Sequence, residues 1–280
     1  MNTIRWLGDD DCHEEAIVGG KAASLSRLAS LHTVPLGFAI PALPAVHSSL
    51  PDGLVRAIGD AYRALGERCG VAEMAVAVRS SAIGEDGAEA SFAGQHDTYL
   101  NIRGADAVVR AVMRCAQSAA SAEALAYRRH QGLPLHDLRS AVLVQELVPS
   151  DVSAVVFSAN PVTGSSEEVV INSNWGLGES IVGGGTTPDT FLVSKHGLEV
   201  SQREIALKVR MTVMTDTGTT EIGVPAALQT KPSLDDAQIR EMARLAVVLE
   251  GAIRRPVDAE CAIARNVLYL LQCRPITTLG

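Results

Sequence analysis

The residues best placed to do chemistry lie near the end of the chain. Pro256-Val257-Asp258-Ala259-Glu260 and Leu270-Leu271-Gln272-Cys273-Arg274 are two short apolar runs interrupted by polar residues. Arg265-Asn266 between them is expected to turn the chain. Side chains alternate faces along a strand, so Asp258 and Glu260 share one face, and Gln272 and Arg274 share a face of the partner. A turn near Asn266 sets Glu260 roughly opposite Gln272. Converging carboxylate and amide oxygens suit Mg²⁺, which takes oxygen ligands and usually binds substrate phosphates as well. Arg274 beside them could grip a phosphate oxygen through its planar fork. On spacing alone, a hairpin with one wet polar face fits equally well.

Six earlier features carry weaker signals. Gly19-Gly20-Lys21 before a helix could gather backbone N–H groups and a cation around an anion. It is not a Walker A loop: Glu15 stands where the first Gly would be, and Ala22 follows the Lys. Arg79-Ser80-Ser81 closes the apolar run Met74–Val78, and an Arg leaving a buried strand needs an anion, a salt bridge or water. Ser91–Thr98 is a small-residue stretch that permits close backbone approach, with His96 read as a polar loop residue. Glu146, just past Ala141–Val144, could bind a nucleobase or ribose, or cap a strand end. Trp175–Glu179 and Gly183–Gly185 fit either mobile backbone near a ligand or tight turns.

The elements that must position these residues are legible in outline. Helices are expected over about 21–31, 54–69, 106–131 and 234–252, the last started by Ser233 and Asp235-Asp236. Strands are expected over 74–78, 141–145, 153–157, 168–171, 190–193, 204–209, 257–264 and 267–276. Pro41–Pro51 reads as a linker, and 82–94 as a loop. The result is a mixed α/β chain with a helix-rich first part, 1–135, and a strand-rich second part, 136–280, with a ligand cleft expected between the two lobes.

Composition narrows the function classes. The 280 residues carry a net charge of −8, which argues against a general nucleic-acid binder. Arg outnumbers Lys 20 to 4, so each Lys merits attention. No apolar run approaches the roughly 18–20 residues of a membrane span, and the acidic N-terminus is unlike a signal peptide; a cytoplasmic protein is expected. Five scattered cysteines with no C-x-x-C pair argue for free thiols over a disulfide framework or structural zinc.

Together these segments resemble a known family. Gly19-Gly20-Lys21-Ala22-Ala23-Ser24-Leu25, Val34–Phe38 and Val76–Ala82 are similar to the N-terminal ATP-binding domain of pyruvate phosphate dikinase, phosphoenolpyruvate synthase and rifampicin phosphotransferase. The likeness continues in order through Ser91–Thr98, Val144–Val148, Ser153–Pro161, Gly176–Glu179, Pro188-Asp189 and Leu271–Pro275. It implies an ATP-grasp fold whose lobes clasp ATP and Mg²⁺. By motif position, Lys21 and Arg79 would bind phosphates, and Gly94, Gln95 and Thr98 would belong to the phosphate-covering loop. Gln145, Glu146, Leu147 and Val148 would form the hinge against adenine. Asp258, Glu260 and Gln272 fall where the family places nucleotide and metal ligands, with Glu260 and Gln272 the metal pair, and Arg274 where it has a phosphate-contacting Arg. Lys21, Arg79 and Arg274 would be the catalytic cations.

The implied chemistry splits ATP into AMP, phosphate and a phosphoryl group passed onward. The sequence departs from the family at Ala154 and Asn160, where Gly and Asp are usual, and in a short stretch between Phe38 and Val76. No histidine lies in a phosphohistidine-like motif, so the acceptor is expected to be a small molecule or a separate protein with a phosphohistidine domain. An ATP-grasp ligase working through an acyl phosphate, or a non-catalytic nucleotide-binding module, are the alternatives.

Overall fold

In the computed structural model the described residues are 4–45, 49–82, 98–130, 136 and 138–276. Residue contacts divide the chain into two units, Met1–Leu147 and Val148–Gly280. The strand Arg139–Glu146, expected to open the second part, pairs within the first sheet instead.

The first unit is a five-stranded antiparallel sheet. Its strands are β1 (Arg5–Trp6), β2 (Gly37–Pro44), β3 (Val76–Ala82), β4 (Thr98–Ile102) and β5 (Arg139–Glu146), in the order β1-β2-β5-β3-β4. Helix α1 (Glu15–Leu28) packs on β2, β3 and β5. Helices α2 (Asp52–Cys69) and α3 (Ala105–Ser118) pack on each other and on the sheet, and α4 (Ala122–His130) follows. The alternation of β3 sorts the two faces. Val76 and Val78 join Phe38, Ile40, Val142 and Val144 in a core with Ile58, Tyr62 and Leu65 of α2 and Val108, Val112 and Cys115 of α3. Ala77, Arg79 and Ser81 therefore face α1, where the Ser81 hydroxyl meets the Ala22 N–H. Two expectations shift here. The first half of the proposed Pro-rich linker is strand, because a chain with Pro41 and Pro44 stays extended while its neighbours pair with β5. Helix α1 starts at Glu15 rather than 21, but it is broken at Gly19, whose φ of 77° no helix adopts.

The second unit is a six-stranded antiparallel sheet. Strands β6 (Val152–Phe157), β7 (Glu168–Trp175), β8 (Asp189–Ser194), β9 (Val200–Glu204), β12 (Val257–Ala264) and β13 (Val267–Pro275) run in the order β13-β12-β6-β7-β8-β9. A short helix, α5 (Glu179–Val182), and a hairpin of β10 (Arg210–Met214) and β11 (Thr219–Gly223) are added to it. Helix α6 (Asp236–Ile253) buries Ile239, Met242, Ala243, Ala246 and Leu249 against one sheet face. Its start is a capping box: Asp235 accepts from Gln238 N while the Gln238 side chain accepts from Asp235 N. The expected turn at Arg265-Asn266 forms with both residues at positive φ, 50° and 61°, as a tight two-residue hairpin requires.

One expected strand is absent. Residues 205–209 leave the ladder, and their polarity is inside-out: Lys208 is fully buried while Leu207 is 60% exposed, with Ile205 and Val209 also exposed. The reason is Asp189, itself fully buried. Its Oδ1 accepts from Lys208 Nζ at 2.6 Å and Ala206 N at 2.9 Å, and its Oδ2 accepts from Ser233 N and Ser233 Oγ, both at 2.8 Å. The Ser233 hydroxyl lies 2.7 Å from that of Ser173. One carboxylate thus ties β7, β8, the inside-out segment and the approach to α6 together. All five cysteines are free thiols, and no helix among the described residues is long and apolar enough to cross a membrane.

Candidate nucleotide site

In the second unit, parity decides where the candidates lie. Ser173 and Asp189 meet Ser233 at the start of α6, so they mark the α6 face. Ser173 pairs with Ala154, and Ala154 with Cys261, which places Cys261 and Ala259 on that same face. Asp258 and Glu260 must then point away from α6. The register across β12 and β13 sets Asp258 against Arg274 and Glu260 against Gln272. The pairing read from the sequence is therefore present, with a bulge just after Glu260. Half-buried Val155, Phe157, Asn172 and Thr190 continue this face over β6, β7 and β8.

Asp258 and Arg274 form an ion pair, in which Nε and Nη2 of the guanidinium donate to Asp258 Oδ2 at 3.0 and 2.7 Å. Burial pushes the Asp258 carboxyl above the usual carboxylate range, and Arg274 opposes that shift without cancelling it. Asp258 was expected among the nucleotide ligands; in this structure its Oδ2 orients Arg274. Next to that pair on the same face stand the Glu260 carboxylate and the Gln272 amide, which are hard-oxygen donors. Among the described residues no group of three or more His, Cys, Asp or Glu could hold a metal on its own. The donor set fits Mg²⁺, which is commonly held by one or two protein oxygens together with phosphates and water.

The first unit gathers its candidates in the same way. Arg79 pairs with Thr98 on one side and Leu143 on the other, and Ala77 pairs with Gln145. Arg79, Thr98 and Gln145 therefore share the α1 face, and half-buried Lys21 is on α1 itself. Gln145 is buried and donates to Pro35 O at 3.1 Å. Opposite it, Gly37 comes so close that a Cβ would stand 2.6 Å from Val144 O. Gly94, Gln95 and His96 lie outside the described residues.

The hinge residues do not act alike. Glu146 N donates to Leu36 O at 2.8 Å and Leu147 N to Ala75 O at 3.0 Å, so the end of β5 is held from both sides. Gln145 faces α1, but Glu146 points to the opposite face, where it accepts a 3.9 Å hydrogen bond from Cys69 Sγ at the end of α2. Burial, and then the Glu146 charge, push the Cys69 thiol up to about 11. The Glu146 side chain is thus turned away from the face that carries Lys21 and Arg79, which leaves its backbone as the part able to meet a ligand there.

The two departures noted in the sequence have local explanations. Ala154 pairs with Cys261 and lies on the α6 face, the opposite side of the sheet from the Glu260 side chain. Asn160 uses both ends of its amide: Oδ1 accepts from Val162 N and Thr163 N, while Nδ2 donates to Glu168 Oε1 at 2.9 Å. An Asp could cap the same turn but would oppose Glu168. An open cleft of about 720 Å³ lies at the N-terminal end of α6, bordered by Trp175, Ile263, Leu234 and Lys231; Trp175 belongs to a segment singled out in the sequence, but none of the residues expected to bind ATP or Mg²⁺ lines it.

This is an α/β chain in which Arg79, Thr98 and Gln145 share one face of the first sheet and Asp258, Glu260, Gln272 and Arg274 share one face of the second. Residues 44–280 match the family described as pyruvate phosphate dikinase, AMP/ATP-binding domain, and the chain belongs to that family. It is 43% identical over 233 residues to a protein of Methanocaldococcus jannaschii named probable phosphoenolpyruvate synthase, covering 83% of this chain and 20% of that one. It is 36% identical to a Streptomyces sviceus protein named rifampicin phosphotransferase, covering 98% of this chain and 36% of that one. The chain thus spans between a fifth and about a third of the length of these relatives. Among solved structures, an acetyl-coenzyme A synthetase of Ca. Korarchaeum cryptofilum covers 91% of both chains at 12% identity, with a TM-score of 0.45.

Proposed function

We propose that this chain is an ATP-grasp module that binds ATP with Mg²⁺ and passes a phosphoryl group onward in a dikinase-type phosphotransfer. The observation that carries this reading is the register of β12 and β13, which sets Glu260 against Gln272 beside the Arg274–Asp258 pair, in a chain of an AMP/ATP-binding family. Lys21 and Arg79 serve the phosphates from the first unit, with Gly94 and Gln95 in the covering loop; Thr98, expected in that loop, is instead the first residue of β4, paired with Arg79. Gln145 to Val148 meet adenine, Glu146 through its backbone alone. Asp258 holds Arg274 toward a phosphate oxygen. Glu260 and Gln272 hold Mg²⁺, which when bound draws charge from the phosphate oxygens. Phosphoryl transfer demands positioning and neutralisation of charge on the transferred group more than covalent chemistry, and three fixed cations supply that. The acceptor is a small molecule or a phosphohistidine domain on another protein, and the setting is the cytoplasm.

The test is nucleotide turnover. The full chain is incubated with ATP, Mg²⁺ and candidate acceptors, and products are resolved as AMP plus phosphate or as ADP. AMP formation that depends on acceptor and falls at least 100-fold in Glu260→Ala is expected. ADP formation driven by a carboxylic acid plus an amine would point to ligase chemistry instead. ATP binding with no turnover under any condition would reduce the chain to a binding module.

A further inference from the structure

The break in α1 needs a partner that α1 cannot supply. Gly19, with φ 77° and ψ 166°, ends the first helical run, and a second begins at Gly20, with Lys21 second and Ala22 third. The first N–H groups of a helix lack intrahelical acceptors, and the residue before the helix normally accepts from the second or third of them with its own side chain. Gly19 has no side chain. The acceptor arrives from another element: Ser81 Oγ lies 3.2 Å from Ala22 N, across 59 residues of sequence. Ser81 is fully buried, and Gly19 is so close to it that a Cβ would stand 1.9 Å from Ser81 O and 2.4 Å from Ser81 Oγ. The two positions are complementary, with a side chain omitted at one and provided at the other.

We propose that Ser81 is a positioning residue for Lys21. Its hydroxyl fastens the second run of α1 to the end of β3, on the same face as Arg79 and about 7 Å further along the strand. That attachment sets where the Lys21 ammonium sits relative to the Arg79 guanidinium. It also occupies the Ala22 N–H, so recognition of an anion here falls to the Lys21 side chain rather than to that amide. The inference rests on the reading that Lys21 and Arg79 bind ATP phosphates.

Calorimetric titration of ATP and of adenosine into the wild type, Ser81→Ala, Lys21→Gln and the double variant tests it, with thermal unfolding run on each. ATP affinity should fall about five- to twenty-fold in Ser81→Ala, adenosine affinity should hold, and Ser81→Ala should add nothing once Lys21 is Gln. An equal Ser81→Ala loss in both backgrounds, or a matching loss for adenosine, overturns the proposal while leaving Lys21 in place. A Lys21→Gln variant with wild-type ATP affinity overturns the reading of Lys21 and the proposal with it. Amide exchange at Ala22 in the unaltered chain reads the same bond without a variant. It should be slow before ATP is added and unchanged afterwards; exchange that slows only with ATP would assign the N–H to the ligand and refute the capping role.

Discussion

Replacing Lys208 by Met should be the most damaging conservative change in the second unit. Met matches the length of the Lys stem and keeps its packing, so the change isolates the loss of the ammonium. Both Lys208 and Asp189 side chains are 0% exposed, so no water can replace the 2.6 Å contact. The carboxylate would keep Ala206 N, Ser233 N and Ser233 Oγ as donors, but its charge would lie buried without a counter-ion. Breaking such a pair from one side costs about 3–5 kcal/mol. For a unit of roughly 130 residues with an unfolding entropy near 2.1 cal/mol/K per residue, that is about 11–18 °C in the melting midpoint. Calorimetry of the wild type, Lys208→Met, Asp189→Asn and the double variant would measure it, and the double variant should lose at least about 1 kcal/mol less than the two single losses combined. A single-variant shift below about 3 °C, or strict additivity, would show that the pair is not the fastening described here.

Three further outcomes follow from particular contacts. Asn160→Asp should cost about 1–2 kcal/mol at neutral pH, because it removes the donor to Glu168 and opposes two carboxylates; adding Glu168→Gln should restore most of it, as read by thermal melts. Because Asp258 titrates above its unfolded value, its contribution to stability is fully present below the ordinary carboxylate pKa and lost as pH rises through its raised folded value. Asp258→Asn should therefore flatten the fall in melting temperature above about pH 4, and an unchanged profile would sink that assignment. Glu146→Gln removes one of the groups holding the Cys69 thiol near 11, so alkylation of Cys69 at pH 9 should quicken several-fold, whereas an unchanged rate would place the carboxylate elsewhere.

The parts of the site that depend on period-two alternation were readable in advance. Asp258, Glu260, Gln272 and Arg274 needed only a tight turn at Arg265-Asn266 to meet in pairs, and that turn depends on local backbone preference. Helix α6 was legible because its apolar positions repeat at helical spacing, although its cap is Asp235 rather than the expected Ser233, which bonds Asp189 instead. Alternation does not say which side is inward. Residues 204–209 were read as a strand, but the buried carboxylate of Asp189, distant in sequence, draws Lys208 inward and takes 205–209 out of the ladder. The same limit applies to Gln145 and Glu146, grouped by position in the chain and separated by the pleat. Ser81 was noticed for its place beside Arg79, yet its role depends on Gly19, and no local pattern links residues so far apart.

The inside-out segment also marks where this domain can be altered safely. With Lys208 drawn inward, its two neighbours must point to solvent, and they carry Leu and Val there. The adjoining edge strand β9 shows Ser201, Gln202, Arg203 and Glu204 to water, the polar dress that discourages sheets from pairing edge to edge. Just beyond that edge the exposed apolar side chains are Ile205, Leu207 and Val209. Polar replacements at Leu207 and Val209 would improve solubility without disturbing the fastening beneath them, since the backbone there is held by Asp189 and Gln229 rather than by the side chains it exposes.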